Sequence, residues 1–222
     1  MRTLSKTMVA LGLVALMAAP VMVQQGRGGG RGFLGGGGGI AMLLTNKSVQ
    51  EELKLDASQI EKAKDLAAKV REKITAATEG LEGQERFAKM REMSNELNTM
   101  AHNGAKEFLK PEQLRRVHQI QHQMQGPQAF ADEHVASRLK LTDAQKSEIK
   151  TINEESMSQM RELFQGLQDD REGTMKKITA HRKATVEKIV AKLTDEQKTT
   201  WKNMLGSPFE IKFEPRPGGG GR

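Results

Sequence analysis

The pentapeptide Leu141-Thr142-Asp143-Ala144-Gln145 has the pattern of a helix start, and three related pentapeptides occur elsewhere in the chain. These are Leu55-Asp56-Ala57-Ser58-Gln59, Leu109-Lys110-Pro111-Glu112-Gln113 and Leu193-Thr194-Asp195-Glu196-Gln197. In a capping box, the side chain before the helix accepts a hydrogen bond from a first-turn amide, and a Gln three residues later reaches back to the cap. Thr or Asp occupies the capping position in three of the four copies, and Gln is present in all four. Each copy therefore predicts the first turn of a helix.

The four boxes belong to a longer internal repeat. Val49, which precedes the first box, reappears 86 residues later as Val135, and the second box reappears 84 residues later as the fourth. Similarity at a nearly fixed spacing predicts a duplicated structural unit. We expect a first helical unit at 45–127 and a second helical unit at 128–209.

The apolar spacing predicts that each unit contains two long antiparallel helices with short capped helices beside them. Between Ala57 and Ala77, apolar residues recur every three or four positions, the pattern of a helix that packs along one side. Gly80 interrupts this pattern, and Asn103-Gly104 closes the helix that follows. The fold class is therefore all-α. The expected helices are 57–77, 84–100, 111–125, 132–139, 143–164, 174–192 and 195–205.

The ends of the chain have compositions of their own. Residues 1–23 have a basic start, an apolar run and small residues, which is the layout of a secretory signal peptide, so we expect a periplasmic or secreted protein. Pro20 hinders cleavage after Ala19, which makes an uncleaved membrane anchor the alternative. Residues 24–44 are rich in Gly and predict a flexible linker, although its Arg-Gly triplets also resemble RNA-binding segments. Residues 210–222 predict a disordered tail.

The composition excludes several kinds of active site. The chain has no Cys, which excludes disulfide frameworks, thiolate metal sites and Cys nucleophiles. It has no sequence-supported Ser-His-Asp set, no phosphate-binding Gly-rich loop and no H-E-x-x-H motif. Most Glu and Lys residues fall on the predicted solvent faces of helices. We therefore predict a protein that is not an enzyme and that has no cofactor.

One pair of histidines has a spacing that suits metal ligands. His118 and His122 lie one helical turn apart, so both imidazoles can reach one ion. His102, His134 and His181 are isolated in the sequence. Because a stable zinc site needs three or four ligands, two exposed polar side chains are the preferred interpretation. A zinc sensor or buffer is the alternative.

Methionine and phenylalanine are concentrated on the predicted long helices. Met side chains are flexible and polarisable, so a Met-rich face adapts to partners of different shapes. Filling a thin core is the alternative role for the same residues. The predicted protein-binding surface comprises Phe87, Met90, Met93, Leu97, Met157, Met160 and Phe164.

Positive charge is concentrated in one predicted helix. The chain carries a formal charge of +7, and residues 174–192 contain six basic residues against a single Glu. Such an excess attracts an acidic partner or an anionic surface over a Debye length of about 8–10 Å. A solvated face without a partner is the alternative. The predicted basic face comprises Lys176, Lys177, Arg182, Lys183 and Lys188.

The boxes at Leu141–Gln145 and Leu193–Gln197, with the predicted export and helices, resemble the LTxxQ-motif periplasmic family, which contains Spy, CpxP and the zinc-resistance-associated proteins. The resemblance covers roughly residues 49–205, with four boxes where the family has two. It implies a long helical hairpin and a curved cradle that, in Spy, is a homodimer and shields unfolded clients. Asp56 and Lys110 depart from the Thr of the family motif, and the His-rich terminal metal motif of the zinc-associated members is absent.

The duplication and the resemblance together predict a pseudo-dimer in which one chain supplies both halves of the cradle. We expect an exported, non-enzymatic, chaperone-like or envelope-stress protein whose partners are unfolded or envelope proteins. The alternatives are a periplasmic zinc sensor or buffer and a polyanion-binding protein. No specific nucleic-acid partner is predicted.

Overall fold

The computed structural model describes residues 39–167 and 170–212, and it confirms the all-α class. Within these ranges the chain forms ten α-helices, one 3-10 helix and no strand. The predicted signal peptide at 1–23 and the first part of the predicted linker lie outside the described residues. The helices are α1 (Gly39–Leu43), α2 (Lys47–Glu52), α3 (Ala57–Thr78), α4 (Gly83–Glu92), α5 (Ser94–Lys106), α6 (Pro111–Gln125), the 3-10 helix η1 (Gly126–Ala131), α7 (Glu133–Arg138), α8 (Asp143–Gln165), α9 (Arg171–Val190) and α10 (Asp195–Leu205).

The described residues divide into two compact units. The first unit comprises residues 39–124 together with 204–212, and the second unit comprises Gln125–Asn203. The predicted boundary lies between residues 127 and 128, and the predicted second unit extends to residue 209. The segment after Asn203 instead packs with the first unit.

The first unit begins earlier than the Gly-rich composition indicates. The predicted linker reaches residue 44, yet α1 is helical and the side chains of Ile40, Leu43 and Leu44 are at most 2% exposed. This apolar run packs against α3 and α5, and its burial from water offsets the low helix propensity of Gly39 at the start of α1. The linker prediction is therefore wrong for residues 39–44.

The long helices α3 and α5 meet along an apolar seam. Ala63 and Ala67 of α3 and Ala101 and Ala105 of α5 are all buried, and their small side chains allow the two helices to approach closely. The connection between α3 and α4 turns at Gly80, whose φ of 73° lies in the left-handed region that favours Gly. The sequence correctly predicts the start and almost the end of α3.

The return arm of this hairpin differs from the prediction. It consists of α4 and α5, which are separated at Met93, and it continues to Lys106 instead of closing at Asn103-Gly104. Gly104 lies directly against Leu66, and a Cβ at this position would be 2.5 Å from Leu66 Cδ1. Gly104 therefore permits close packing inside the helix and does not end it.

The second unit is built around the antiparallel pair α8 and α9, which η1 and α7 help to cover. Trp201 of α10 is 1% exposed and packs against Phe130 of η1, with 4.3 Å between the ring centroids. Ile149, Ile189 and Leu193 are also buried in this unit. One aromatic pair thus anchors α10 to a core that contains few other aromatic residues.

Local geometry at the end of α2 repeats 86 residues later at the end of α7. Asn46 and Asp132 cap the two helices with their side chains. Lys54, with a φ of 50°, and Lys140, with a φ of 53°, follow the two helices in the left-handed conformation. In both copies the next residue's amide donates to the carbonyl five residues earlier at 3.0 Å. This is a Schellman-type cap that carries Lys where Gly is usual.

The end of the described chain is ordered rather than disordered. The predicted tail begins at residue 210, but Ile211 is fully buried in the core of the first unit. The tail prediction is therefore wrong for residues 210–212, because an apolar side chain in this segment reaches the core. The rest of the predicted tail, 213–222, lies outside the described residues.

Candidate protein-binding surfaces and their supports

The Gln residues of the first two boxes hydrogen-bond to each other as well as to the backbone. Gln59 Oε1 accepts from the amide of Asp56 at 3.1 Å, which completes the box of α3. Gln59 Nε2 donates to Gln113 Oε1 at 2.8 Å and to Phe108 O at 2.9 Å. Gln113 Nε2 donates to Gln59 Oε1 at 3.3 Å and to Leu53 O at 3.0 Å. We call this arrangement the first glutamine pair; it joins the start of α3 to the start of α6.

The second unit contains an equivalent arrangement, the second glutamine pair. Gln145 Nε2 donates to Gln197 Oε1 at 2.8 Å, and Gln197 Nε2 donates to Gln145 Oε1 at 3.0 Å. The two Oε1 atoms also accept from the amides of Thr142 and Thr194. The sequence of the boxes predicts the capping role of these Gln side chains but not their pairing. The available signal was that Gln is kept in all four boxes although the capping residue varies.

Each unit exposes one phenylalanine beside the turn of its long hairpin. Phe87 and Phe164 are 57% and 43% exposed, and they are the large hydrophobic side chains left exposed in the described part of the chain. Phe87 lies in the second turn of α4, just after the hairpin turn, and Phe164 lies one residue before the end of α8. Met90, Met157 and Met160 are half-buried.

Two members of the predicted protein-binding surface lie in the core. Met93 is 8% exposed and Leu97 is 5% exposed, and both belong to the buried cluster of the first unit. They occupy the side of the return arm that packs toward α3. A side chain in this position cannot contact a partner, so the surface prediction is wrong for Met93 and Leu97.

The seam of the second hairpin is polar where the first is apolar. Ser156 of α8 lies 2.8 Å from His181 Nε2 and 3.1 Å from Thr185 Oγ1 of α9, measured from its Oγ atom. Asn153 of α8 is only 6% exposed, and neither atom of its carboxamide hydrogen-bonds to any described residue. His181, which is isolated in the sequence, is therefore part of a side-chain network between helices.

The predicted basic face is partly neutralised by neighbouring carboxylates. Lys176 pairs with Glu172 at 2.8 Å, and this hydrogen bond raises the pKa of Lys176. Lys183 lies 4.0 Å from Glu187 on the same helix. Lys177 and Lys188 are exposed. The basic patch on α9 is consequently weaker than the count of basic residues predicts.

Arg182 is less exposed than the four lysines of the predicted basic face. Its guanidinium packs beside η1, where a Cβ on Gly126 would be 3.0 Å from the Nη2 atom. Burial lowers the pKa of Arg182. Arg182 is half-buried, so it contributes less to the predicted basic face than the exposed Lys177 and Lys188.

The histidines form a different pair from the one that the spacing indicates. His118 Nε2 lies 2.9 Å from His102 Nδ1, whereas the stacked rings of His118 and His122 have centroids 6.3 Å apart. His122 is 8% exposed, in contrast to the exposed position expected from its place on the helix. No group of three or more His, Asp or Glu residues in the described ranges can hold a metal ion. The zinc site at His118 and His122 stays a prediction from spacing.

The candidate protein-binding surfaces therefore comprise the two exposed phenylalanines, the half-buried Met residues of the same helices and the exposed lysines of α9. In the part of the chain that the structure describes, every helix is either too short or too polar to form a transmembrane span. No protein-family model, curated protein or solved structure matches this chain.

Proposed function

We propose that this chain is an exported, non-enzymatic, chaperone-like protein that binds unfolded or envelope proteins through the ends of its two long hairpins. The observation that carries the proposal is the exposure of Phe87 and Phe164, one beside each hairpin turn. Phe87 follows the turn of the first hairpin and Phe164 precedes the turn of the second, so each hairpin end offers one exposed aromatic ring that a partner can cover.

The size of each contact suits transient binding. Burying one Phe side chain against a client contributes about 1.5–3 kcal/mol, too little alone to hold a folded partner tightly. Met90, Met157 and Met160 are half-buried and can add contact area by changing rotamers. A client that exposes several apolar segments offers more places for either phenylalanine to bind, so the apparent affinity rises with the degree of unfolding.

Charge and resemblance give secondary support. The exposed Lys177 and Lys188 on α9 favour encounter with acidic segments, since long-range attraction raises association rates more than final affinity. The four capping boxes are similar to the motif of periplasmic proteins that act on unfolded clients. The apolar and basic composition of residues 1–23 supports export.

Suppression of aggregation tests the binding proposal. The parent protein should suppress the aggregation of a chemically unfolded model protein at near-stoichiometric amounts, and the double variant Phe87→Ser, Phe164→Ser should lose most of this effect. The matched control is Gln84→Ser, Gln165→Ser, which alters exposed polar positions on the same helices. Failure of the parent at about tenfold excess would exclude the chaperone-like role.

Export is tested by a separate measurement. Mass spectrometry of the protein recovered from a cell-envelope fraction should identify an N-terminus close to residue 24. A chain that retains Met1 and remains with the membrane would support the anchor alternative.

A further inference from the structure

The segment after α10 crosses the first unit in an extended conformation, and we call residues 207–212 the strap. Gly206 sets its direction with a φ of 61°, and a Cβ there would lie 2.2 Å from Gln119 Oε1. Phe209 packs against the core and Ile211 is fully buried, whereas Glu210 and Lys212 are exposed. This alternation of inward and outward side chains is characteristic of an extended chain.

Two side chains of α6 hold the first part of the strap by its backbone. Gln123 Nε2 donates to Leu205 O at 2.6 Å and to Ser207 O at 2.8 Å. Gln123 Oε1 accepts from the amide of Phe209 at 2.9 Å. Arg116 Nη1 donates to Ser207 O at 2.8 Å, while its Nε donates to Glu52 at 2.8 Å. Gln123 thus hydrogen-bonds to the backbone before and after Pro208, much as a neighbouring strand would.

Two side chains at the start of α2 hold the other end. Asn46 Nδ2 donates to Lys212 O at 2.8 Å, and the amide of Lys212 donates to Ser48 Oγ at 3.1 Å. Ser48 Oγ in turn donates to Asn46 Oδ1 at 2.7 Å, and this carboxamide also caps α2. The Asn46 side chain therefore holds the strap and caps α2 at the same time, and the cap fixes its orientation.

The contacts separate into a general part and a selective part. The hydrogen bonds that reach the strap itself all go to its main-chain atoms, so they would form with almost any extended peptide. Selection comes from two apolar positions separated by one residue, which Phe209 and Ile211 fill. The guanidinium of Arg116 lies 5.8 Å from the centroid of the Phe209 ring, a distance that favours an aromatic side chain there. Main-chain bonds for affinity with side-chain pockets for selectivity are typical of peptide-binding grooves.

From this arrangement we infer that the groove formed by Asn46, Ser48, Arg116 and Gln123 binds extended client segments that carry an aromatic residue and a branched aliphatic residue two positions apart. The strap is the chain's own occupant of the groove and competes with such segments. This inference rests on the proposed function and adds a second binding site to it, distinct from Phe87 and Phe164.

Tethering sets the strength of the competition. A short segment linked to its own site has an effective concentration in the millimolar range. A free peptide with the strap's own affinity must therefore approach that concentration before it occupies half of the grooves. The strap keeps the groove closed to weak ligands and admits a client that is held nearby by other contacts.

The first test loosens the strap in the full chain. The variant Phe209→Ser, Ile211→Ser keeps all four groove residues and removes both apolar anchors. A labelled peptide with the sequence of residues 206–212 should bind this variant at least about tenfold more tightly than it binds the parent, as measured by fluorescence anisotropy. The same peptide with Ser in place of Phe and Ile is the control and should bind neither protein. Equal binding of the labelled peptide to parent and variant would overturn the inference.

The second test keeps the native anchors and therefore does not depend on the folding of the loosened variant. Ser48→Cys, Lys212→Cys introduces the only two thiols of the chain, close to the hydrogen bond that joins these residues. At a millimolar peptide concentration, oxidation should lock the strap and abolish peptide binding, and reduction should restore it. Peptide binding that is unaffected by oxidation would overturn the inference.

Aggregation assays on the same proteins distinguish the two proposals. If the parent and the locked form suppress aggregation equally and the peptide binds the loosened variant no more tightly than the parent, the groove inference fails while the hairpin function stands. If no form suppresses aggregation, the proposed function fails, and the peptide measurements decide separately whether the groove binds extended segments.

Discussion

Asn153 on α8 occupies the position that Ala67 occupies on α3, 86 residues earlier in the chain. Both side chains are buried, but one is a methyl group in an apolar seam and the other is a carboxamide without a hydrogen bond to the described chain. The same shift relates Val70 to Ser156. The two long hairpins therefore have similar plans and different interiors.

Replacing Asn153 by Ala should stabilise the protein. Burial of an unpaired polar group costs about 1–3 kcal/mol, and Ala removes this cost. Because Ala is smaller than Asn, it leaves a cavity that offsets part of the gain, so we expect an increase of about 1 kcal/mol in the free energy of unfolding. Urea denaturation provides the measurement. The reciprocal change Ala67→Asn should destabilise by about 2–3 kcal/mol, since it places an unpaired amide in the apolar seam. A loss of stability in Asn153→Ala would show that the carboxamide is satisfied in solution.

Backbone amides in the second hairpin should exchange with solvent before those of the first. The α8–α9 seam buries Asn153, Ser156 and Thr185, whereas the α3–α5 seam buries Ala and aliphatic side chains. Fewer apolar contacts lower the free energy of local opening. Hydrogen–deuterium exchange with mass spectrometry should give lower protection for peptides of 143–165 than for peptides of 57–78. The opposite order would contradict the importance of seam polarity.

Lys140→Gly should also stabilise the protein, although it removes a side chain. Lys140 has a φ of 53°, a conformation that costs a non-Gly residue about 1 kcal/mol and that Gly adopts freely. We expect a gain of about 0.5–1 kcal/mol in urea denaturation. Lys54→Gly should give a similar gain at the equivalent position. Lys140→Ala is the control, because Ala retains the strained conformation and should give no gain.

Breaking the first glutamine pair should be costly. Gln113→Ala removes four hydrogen bonds at a buried position, so Leu53 O loses its partner and the Gln59 side chain loses one of its partners. We therefore expect the free energy of unfolding to fall by about 2–4 kcal/mol. The double variant Gln59→Ala, Gln113→Ala should lose less than the sum of the two single variants. Additive losses in this cycle would mean that the two side chains act independently as caps.

Zinc should not bind in the micromolar range. Within the described residues, His118 Nε2 lies 2.9 Å from His102 Nδ1, and no group of three His, Asp or Glu side chains is arranged to hold a metal ion. Isothermal titration calorimetry of the parent with Zn²⁺ should therefore show no saturable heat. Saturable binding that disappears in His118→Ala would instead support the metal-sensor alternative.

The parts of the fold that the sequence predicts correctly are those with local causes. Capping boxes determine the starts of α3, α8 and α10, because the cap and its Gln are only three residues apart. Pro111 likewise predicts the start of α6. These signals need no knowledge of what the helix later packs against.

The parts that the sequence predicts incorrectly depend on distant contacts. The dipeptide Asn103-Gly104 is typical of a helix end, and only the contact of Gly104 with Leu66 explains why the helix continues. Ile211 lies in a segment with a disordered composition, and it is ordered because residues far away in the sequence form its pocket. Met93 and Leu97 share a helix periodicity with exposed neighbours, so periodicity alone cannot say which side faces the core.

Each glutamine pair fastens the chain across a long interval, 54 residues in the first unit and 52 in the second. Each glutamine pair lies at the base of its hairpin, and the turn with its phenylalanine lies at the opposite end. Whole helical turns can therefore be added to or removed from both arms without disturbing the fastening, since loop length changes the closure entropy only slowly. The length of these arms is thus free to vary among descendants of the chain, and engineers can change it without rebuilding the base.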